Sequence, residues 1–276
     1  MDEDLAALVE ARFGERFSFA EPGRGTATLA GILGRASCRR FRPDPVDRGL
    51  LRLLCAAALS APTKSDLQQA DILEVTDPVL RAALADLVPA MPWVREAPAF
   101  LVFLADNRRQ RRIAELRGKP FANDHLDAFF NAVVDAAIVL SAFTLAAEAV
   151  GLGTCAISVL RDRPEALSRL LDLPDHVIPL AGMCVGWPEG EPAISPRLPL
   201  SVTLHENRFD DSDLAGKIEA YDRRRAAVRP YPRQRAPERW GVAESYGWSE
   251  EKARHYAEPQ RTDFGAFVRR KGFRLD

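Results

Sequence analysis

Cysteine is scarce and scattered in these 276 residues: Cys38, Cys55, Cys155 and Cys184 form no Cys-x-x-Cys pair and have no histidine at metal-ligand spacing. They read as reduced thiols of a cytoplasmic protein, and no metal is expected. Histidine is equally sparse, with His125, His176, His205 and His255 isolated from one another. There is no His-Glu-x-x-His, no Gly-x-Ser-x-Gly elbow and no Walker loop, so hydrolysis by those routes finds no support. Charge of one sign is lacking too: 38 basic against 39 acidic residues leave a net charge of -1, which argues against nucleic acid as a partner of the whole surface. The start, Met1-Asp-Glu-Asp-Leu5, has neither the positive charge nor the apolar run of a secretory signal. No internal repeat or low-complexity tract appears.

The most apolar stretch, Leu126 to Val150, is long enough to span a bilayer but contains Asp127, Asn131, Asp135 and Glu148. A mid-span aspartate costs roughly 2.5 to 3.5 kcal/mol in lipid, so the stretch is expected to be a core helix, with no membrane partner. Its apolar residues lie nearly all round, which suits burial in a dimer core, and burial within one subunit is the alternative.

With 47% apolar residues the chain can bury a large core. Helices are expected over Asp2–Phe13, from the Pro22–Gly25 turn into the Arg35 region, over Val46–Leu59 and, after the Asp77-Pro78 start, over Val79–Leu87. Strands are expected at Ile72–Thr76, Ala99–Leu104, near Thr154 and at Ile178–Val185. Few strands among long apolar helices point to a layered α+β domain, with an edge strand from another subunit as an option. Beyond Pro188 the composition changes. Between Lys217 and Arg239 eight basic residues face three acidic ones, and a final helix-like segment follows at Ser249–Tyr256; this reads as an extension, not a packed core.

Gly151-Leu-Gly-Thr-Cys-Ala156 matches the dinucleotide fingerprint by letter, but a long helix precedes it and a strand follows, the reverse of the order a pyrophosphate site needs. A helix C-cap with a tight turn is the better reading. Gly34-Arg-Ala-Ser-Cys-Arg-Arg-Phe41 is more informative. Arg35, Ser37 and Arg39 alternate and could converge on an anion from a non-helical turn or a helix end, since arginine forks match phosphate geometry; a solvated helix face is the other reading.

Four motifs in order resemble the nitroreductase family. Arg35, Ser37, Arg39 and Phe41 match Arg-x-Ser-x-(Arg or Lys)-x-(Phe or Tyr); Ser60-Ala-Pro-Thr-Lys-Ser-Asp-Leu-Gln68 resembles its Ala-Pro-(Ser or Thr) loop ending in Gln; Glu148-Ala-Val-Gly-Leu-Gly-Thr154 is the third. The fourth, Pro179 to Pro188 followed by Pro196-Arg-Leu-Pro199, is similar to the larger, NADPH-preferring members.

The resemblance implies a mostly antiparallel sheet flanked by helices in an intertwined homodimer, with residues 1–28 as an N-terminal extension, 29–209 as the FMN-binding domain and 210–276 as a C-terminal arm packing on the dimer. It assigns Arg35 and Ser37 to the FMN phosphate, Arg39 to the pyrimidine edge of the ring, and Thr63, Lys64, Ser65 and Gln68 to a loop reaching the flavin of the partner subunit. The backbone at Ile157 and Ser158 would face flavin N5, and Arg197 would close on the phosphate. No protein nucleophile or other catalytic residue is implied: hydride passes from NADPH or NADH to flavin N5, the nucleotide leaves, and a small-molecule acceptor, a nitroaromatic or quinone, takes the electrons. Dehalogenation, alkene or flavin reduction, or a non-enzymatic flavin sensor, are the alternatives. Met91, Ser158, Val159 and Ser195 depart from the family pattern. Within the run Arg223, Arg224, Arg225, Arg229, Arg233 and Arg235, the residues Arg225, Arg229 and Arg233 are candidates for the 2′-phosphate of NADPH, against a solvated basic arm.

Overall fold

In the computed structural model, residues 4–20 and 22–276 are described; Asp2 and Glu3 of the expected first helix lie outside them. Helices α1 (Leu5–Phe13), α2 (Thr26–Gly34) and α3 (Arg48–Leu59) precede strand β1 (Ala70–Glu74). Then come α4 (Pro78–Asp86), α5 (Trp93–Glu96), β2 (Ala99–Asp106), α6 (Arg108–Leu116), α7 (Leu126–Ala149), β3 (Gly153–Ile157), α8 (Pro164–Leu170) and β4 (Val177–Gly186). The remainder is helical: α9 (Leu200–Thr203), α10 (Leu214–Val228), α11 (Pro237–Trp240), α12 (Trp248–Tyr256) and α13 (Phe264–Arg270). The Asp77-Pro78 start carries the expected cap, the Asp77 side chain accepting the Val79 N–H; Asp4 and Asp47 cap α1 and α3 in the same way, accepting from Ala7 and Leu50.

The chain groups into two compact units. Residues Ser37–Pro192 with Arg261–Asp276 form one, and the residues up to Ala36 with Ala193–Gln260 form the other. These cuts do not coincide with the division at 28 and 209 expected from the sequence.

The first of these units holds the sheet, in the order β1-β2-β4-β3 with every pairing antiparallel. The fold is therefore α+β, as expected. Both faces of the sheet are covered, which is why β2 and β4 read as continuous apolar runs instead of alternating ones. Leu101, Phe103 and Ala105 face a core shared with α3 and α7, while Phe100, Val102 and Leu104 face a second core built with α4, α5 and α8. Pairing slips between Phe103 and Leu104, opposite Ala181 and Pro179. The proline, which has no N–H for the ladder, sits at that bulge, and Arg161 donates to the Leu180 carbonyl at 2.6 Å.

Helix α7 is long and apolar enough to cross a membrane, yet it lies across all four strands. Ala132, Ala136, Val139, Phe143 and Ala147 are buried against them together with Asp135. On its other side Phe130 remains 59% exposed.

The tail corrects one expectation. Ser249–Tyr256 is not the final helix, and the chain beyond it is not all arm: α13 places Phe267 and Val268, followed by Phe273, in the α7-side core, all three buried. Phe273 meets Phe129 of α7 edge-on at 5.5 Å. A helix of seven residues is too short to display a period, so its apolar face could not be read from sequence.

The other unit is all helical among the described residues. It packs α1 on α2 and α10 on α12, with Tyr221 edge-on to Trp248 at 5.3 Å. Its core is small and contains buried charge at Arg12, Glu251 and Arg254.

Replacing Phe267 by alanine should cost about 3–5 kcal/mol, the usual range for a fully buried aromatic, measured by urea denaturation. A loss below about 1 kcal/mol would mean that the tail helix is not part of the core.

Candidate functional site

Helix α2 stops at Gly34, so Arg35 to Phe41 is not a helix face. From Ser37 the segment runs extended along the sheet edge: Ser37 bridges Thr154 in parallel and Phe41 bridges Pro188. Backbone bonds fix it, Cys38 N–H to Thr154 O at 2.8 Å, Arg42 N–H to Trp187 O at 2.8 Å and Glu189 N–H to Arg40 O at 3.0 Å. Alternation then turns Cys38 inward and leaves Ser37 and Arg39 exposed. The close approach needs Gly153, where a Cβ would stand 2.5 Å from the Cys38 Cβ. Gly151 serves differently: its φ of 85° makes the left-handed turn after α7, the C-terminal turn expected in place of a dinucleotide fingerprint. Arg39 lies over the Trp93 ring at 5.8 Å.

The loop after α3 is a tightly constrained stretch of backbone. Ser65, Asp66 and Gln68 all have positive φ, at 50°, 57° and 52°, a region that costs non-glycine residues on the order of 1–2 kcal/mol each. One carboxylate holds it. Asp135, fully buried in the middle of α7, accepts the Lys64 N–H at 2.9 Å on one oxygen and the Gln69 N–H at 3.2 Å on the other. Thr63 Oγ1 accepts the Gln68 N–H at 3.2 Å and Gln68 Nε2 donates to Asp66 at 3.1 Å. Arg109 and Gln110 donate to the Gln68 and Leu67 carbonyls. Thr63, Lys64, Ser65 and Gln68 thus form one rigid turn. Sequence reading used Asp135 only to argue against a membrane span; a lone carboxylate in an apolar helix was the available signal that something must be bonded to it.

At the end of β3, Ile157 is buried in the α4-side core, so it has only backbone to offer a ligand. Ser158 is exposed and opens a 3-10 turn, Ser158–Asp162. Met91 and Val159 pack against that same core. A surface cavity of about 360 Å³ is lined by Leu67, Gln69, Asn107, Gln110, Lys119 and Phe121 among others.

In the helical unit, Arg35 and Arg197 are anchored on one residue that sequence reading missed. Arg12 donates to the Arg35 carbonyl at 2.5 Å, and its own carbonyl accepts the Arg197 N–H at 2.6 Å. Ser195 is engaged by Arg229, which donates to its hydroxyl at 2.6 Å. Arg225 lies over Tyr231 at 4.2 Å. Arg233 is exposed and lines a cavity of about 750 Å³ with Tyr231 and Arg235, where Arg235 pairs with Glu251 at 2.7 Å. The three nucleotide candidates therefore share one unit, but Arg225 and Arg229 already have partners within it.

No group of three or more metal-ligating side chains occurs among the described residues. Cys38, Cys55 and Cys184 are free thiols. Burial pushes the Cys38 thiol up, Cys55 up to about 11 and Cys184 higher still, so none of these three is a thiolate nucleophile at neutral pH. In the sheet unit a fixed extended segment carries Ser37 and Arg39 and a rigid turn carries Thr63, Lys64, Ser65 and Gln68; in the helical unit Arg35 and Arg197 share the Arg12 anchor.

A family model described as "Nitroreductase family" matches residues 32–187. The chain belongs to the nitroreductase family. A second model, "Nitroreductase family, C-terminal domain", matches residues 195–276 of this nitroreductase chain. A protein named FMN reductase [NAD(P)H], from Bacillus subtilis, is 31% identical over 251 residues, 90% of this chain and 98% of its own. An oxygen-insensitive NADPH nitroreductase of Salmonella typhimurium is 37% identical over 187 residues, 67% of this chain and 76% of its own. Among solved structures, NfrA2 of B. megaterium superposes with a TM-score of 0.81 at 31% identity, covering 91% of this chain and 99% of that one. The nitroreductase fold expected from the four motifs is thus the fold observed.

Replacing Asp135 by asparagine leaves either the part-buried Lys64 N–H or the buried Gln69 N–H without its acceptor, a cost of about 1–3 kcal/mol. Hydrogen exchange at the Lys64 and Gln69 amides should speed up by about tenfold or more. Unchanged exchange at both would mean that the carboxylate does not hold the loop.

Proposed function

We propose that this nitroreductase-family chain is an FMN-dependent oxidoreductase that takes hydride from NADPH or NADH and delivers electrons to a small electrophilic acceptor such as a nitroaromatic or a quinone. The observation that carries the reading is the donor set. Arg35, Ser37, Arg39, Thr63, Ser65 and Arg197 are all hydrogen-bond donors, and Thr63 and Ser65 lie on a rigid turn held by a buried carboxylate. Guanidinium forks and hydroxyls suit a phosphate dianion, and a guanidinium suits the electron-rich pyrimidine edge of a flavin.

FMN, when bound, supplies the hydride-accepting and hydride-donating chemistry. The chain's own residues position it. Arg35, Ser37 and Arg197 hold the phosphate. Arg39 places positive charge at the pyrimidine edge, favouring reduction. The turn at Thr63, Lys64, Ser65 and Gln68 reaches a flavin of the partner subunit, and the Ile157–Ser158 backbone faces the reactive edge of the ring. We propose a homodimer in which the exposed apolar side of α7, with Phe130 at its start, is covered by the second copy. Residues 29–209 carry the flavin and 210–276 pack on the dimer in this reading. The family is one of soluble oxidoreductases acting on small molecules; the cytoplasm is the expected compartment, without membrane or nucleic-acid partners.

The test is the visible spectrum of the purified protein under anaerobic conditions, before and after NADPH and then after a nitroaromatic or a quinone. A flavin spectrum that bleaches and returns is expected. A colourless protein that cannot take up FMN would overturn the reading.

For the nucleotide, Arg225, Arg229 and Arg233 are assigned to the 2′-phosphate of NADPH. Replacing Arg233 by alanine should raise KM for NADPH about tenfold while moving that for NADH less than about twofold. Equal changes for the two nucleotides would remove Arg233 from that role.

A further inference from the structure

The first described helix lies ahead of the stretch that the family model matches, which begins at residue 32. The Bacillus subtilis and B. megaterium relatives are covered over 98% and 99% of their own lengths while covering 90% and 91% of this chain. An N-terminal segment of this kind would ordinarily be an exposed appendage. Here its last turn is built into the backbone that carries two arginines.

Arg12 is 4% exposed and its guanidinium fans out over carbonyls from two distant segments. It donates to Leu33 O through Nε at 3.0 Å and through a terminal nitrogen at 2.6 Å, to Arg35 O at 2.5 Å and to Ser195 O at 2.8 Å. Its own carbonyl accepts the Arg197 N–H at 2.6 Å. Three residues on, Glu15 accepts the Leu200 and Ser201 N–H groups at 3.1 and 3.3 Å. Gly14 between them has φ 71°, and a Cβ there would stand 2.4 Å from the Arg224 side chain, which itself donates to Arg197 O at 2.5 Å. One turn of chain, Arg12 to Glu15, therefore grips the carbonyl of Arg35 and both flanks of Arg197.

Such a fan needs a planar guanidinium with donors fixed in several directions; a lysine at the same place presents one compact charge. Four charge-assisted bonds to three part-buried carbonyls fix the Leu33–Arg35 and Ser195 segments to one side chain. We propose that Arg12, with Glu15, is a positioning residue for the flavin phosphate: it sets the spacing of Arg35 and Arg197, so that the N-terminal segment governs how tightly this chain holds FMN. The inference rests on the reading of Arg35 and Arg197 as phosphate ligands. It predicts an effect confined to the phosphate, because the residues it fixes have no assigned role toward the ring.

The experiment uses the full chain stripped of flavin, and compares FMN with riboflavin, which has the same ring and no phosphate, by fluorescence titration. Arg12→Lys and Glu15→Gln should each weaken FMN binding about tenfold or more, the scale of a lost charge-assisted hydrogen bond. Both should leave riboflavin binding within about twofold. Arg16→Gln, which alters an exposed side chain paired with Glu10, is the control and should change neither. Should Arg12→Lys fail to fold, Glu15→Gln carries the same comparison alone. Unchanged FMN affinity in the folded variants, or equal weakening of FMN and riboflavin, would overturn the proposal while leaving the flavin reading intact. A parent protein that binds neither flavin would instead sink the flavin reading itself.

Discussion

The bond on which the sheet unit depends most is the grip of one buried carboxylate on two backbone amides. Asp135 sits where α7 crosses the start of β1, and its two oxygens take the N–H groups on either side of the tight turn that ends at Gln69. From Gln69 the order continues outward. Its carbonyl accepts the Asp106 N–H at the end of β2, and its side-chain oxygen accepts from Asn107 at 2.8 Å. A charge buried in an apolar helix is tolerable only when its lone pairs are used. Here using them fixes a turn with three left-handed residues that would otherwise relax.

Much of this was legible in the sequence, and the reasons are local. The strands at 99 and 178 announced themselves as short apolar runs because both their faces are covered. The helix start at Asp77 was legible because capping is a contact between neighbours in the chain. Gly151 and Gly153 looked like a nucleotide fingerprint by spacing alone, and only the order of helix and strand around them gave the right reading. The Arg35, Ser37, Arg39 alternation left helix and extended forms open; the bridges to Thr154 and Pro188 decide for extended.

What was illegible depends on contacts far apart in the chain. No local pattern says that Arg12 reaches Ser195, or that Asp135 bonds Lys64. Arg12 looks like an ordinary basic residue near a helix end, and its burial follows from the fold of the helical unit, whose small core leaves room for charge. The tail misled for another reason. The basic stretch around 223–239 suggested an arm, and the short apolar cluster at Phe264, Phe267 and Phe273 lay too far past it to be seen as core.

That last cluster has a bearing on how the polypeptide reaches its folded form during synthesis. All four strands are complete at Gly186, yet the α7-side core closes only when Phe267, Val268 and Phe273 arrive. Between them the ribosome must make the whole of Ala193–Gln260, which folds into the other unit. For that interval the nascent sheet has an open apolar flank, the kind of surface that attracts chaperones and that misassembles when two chains are made side by side. The order of segments along the message thus gives this protein a vulnerable period that its finished form conceals.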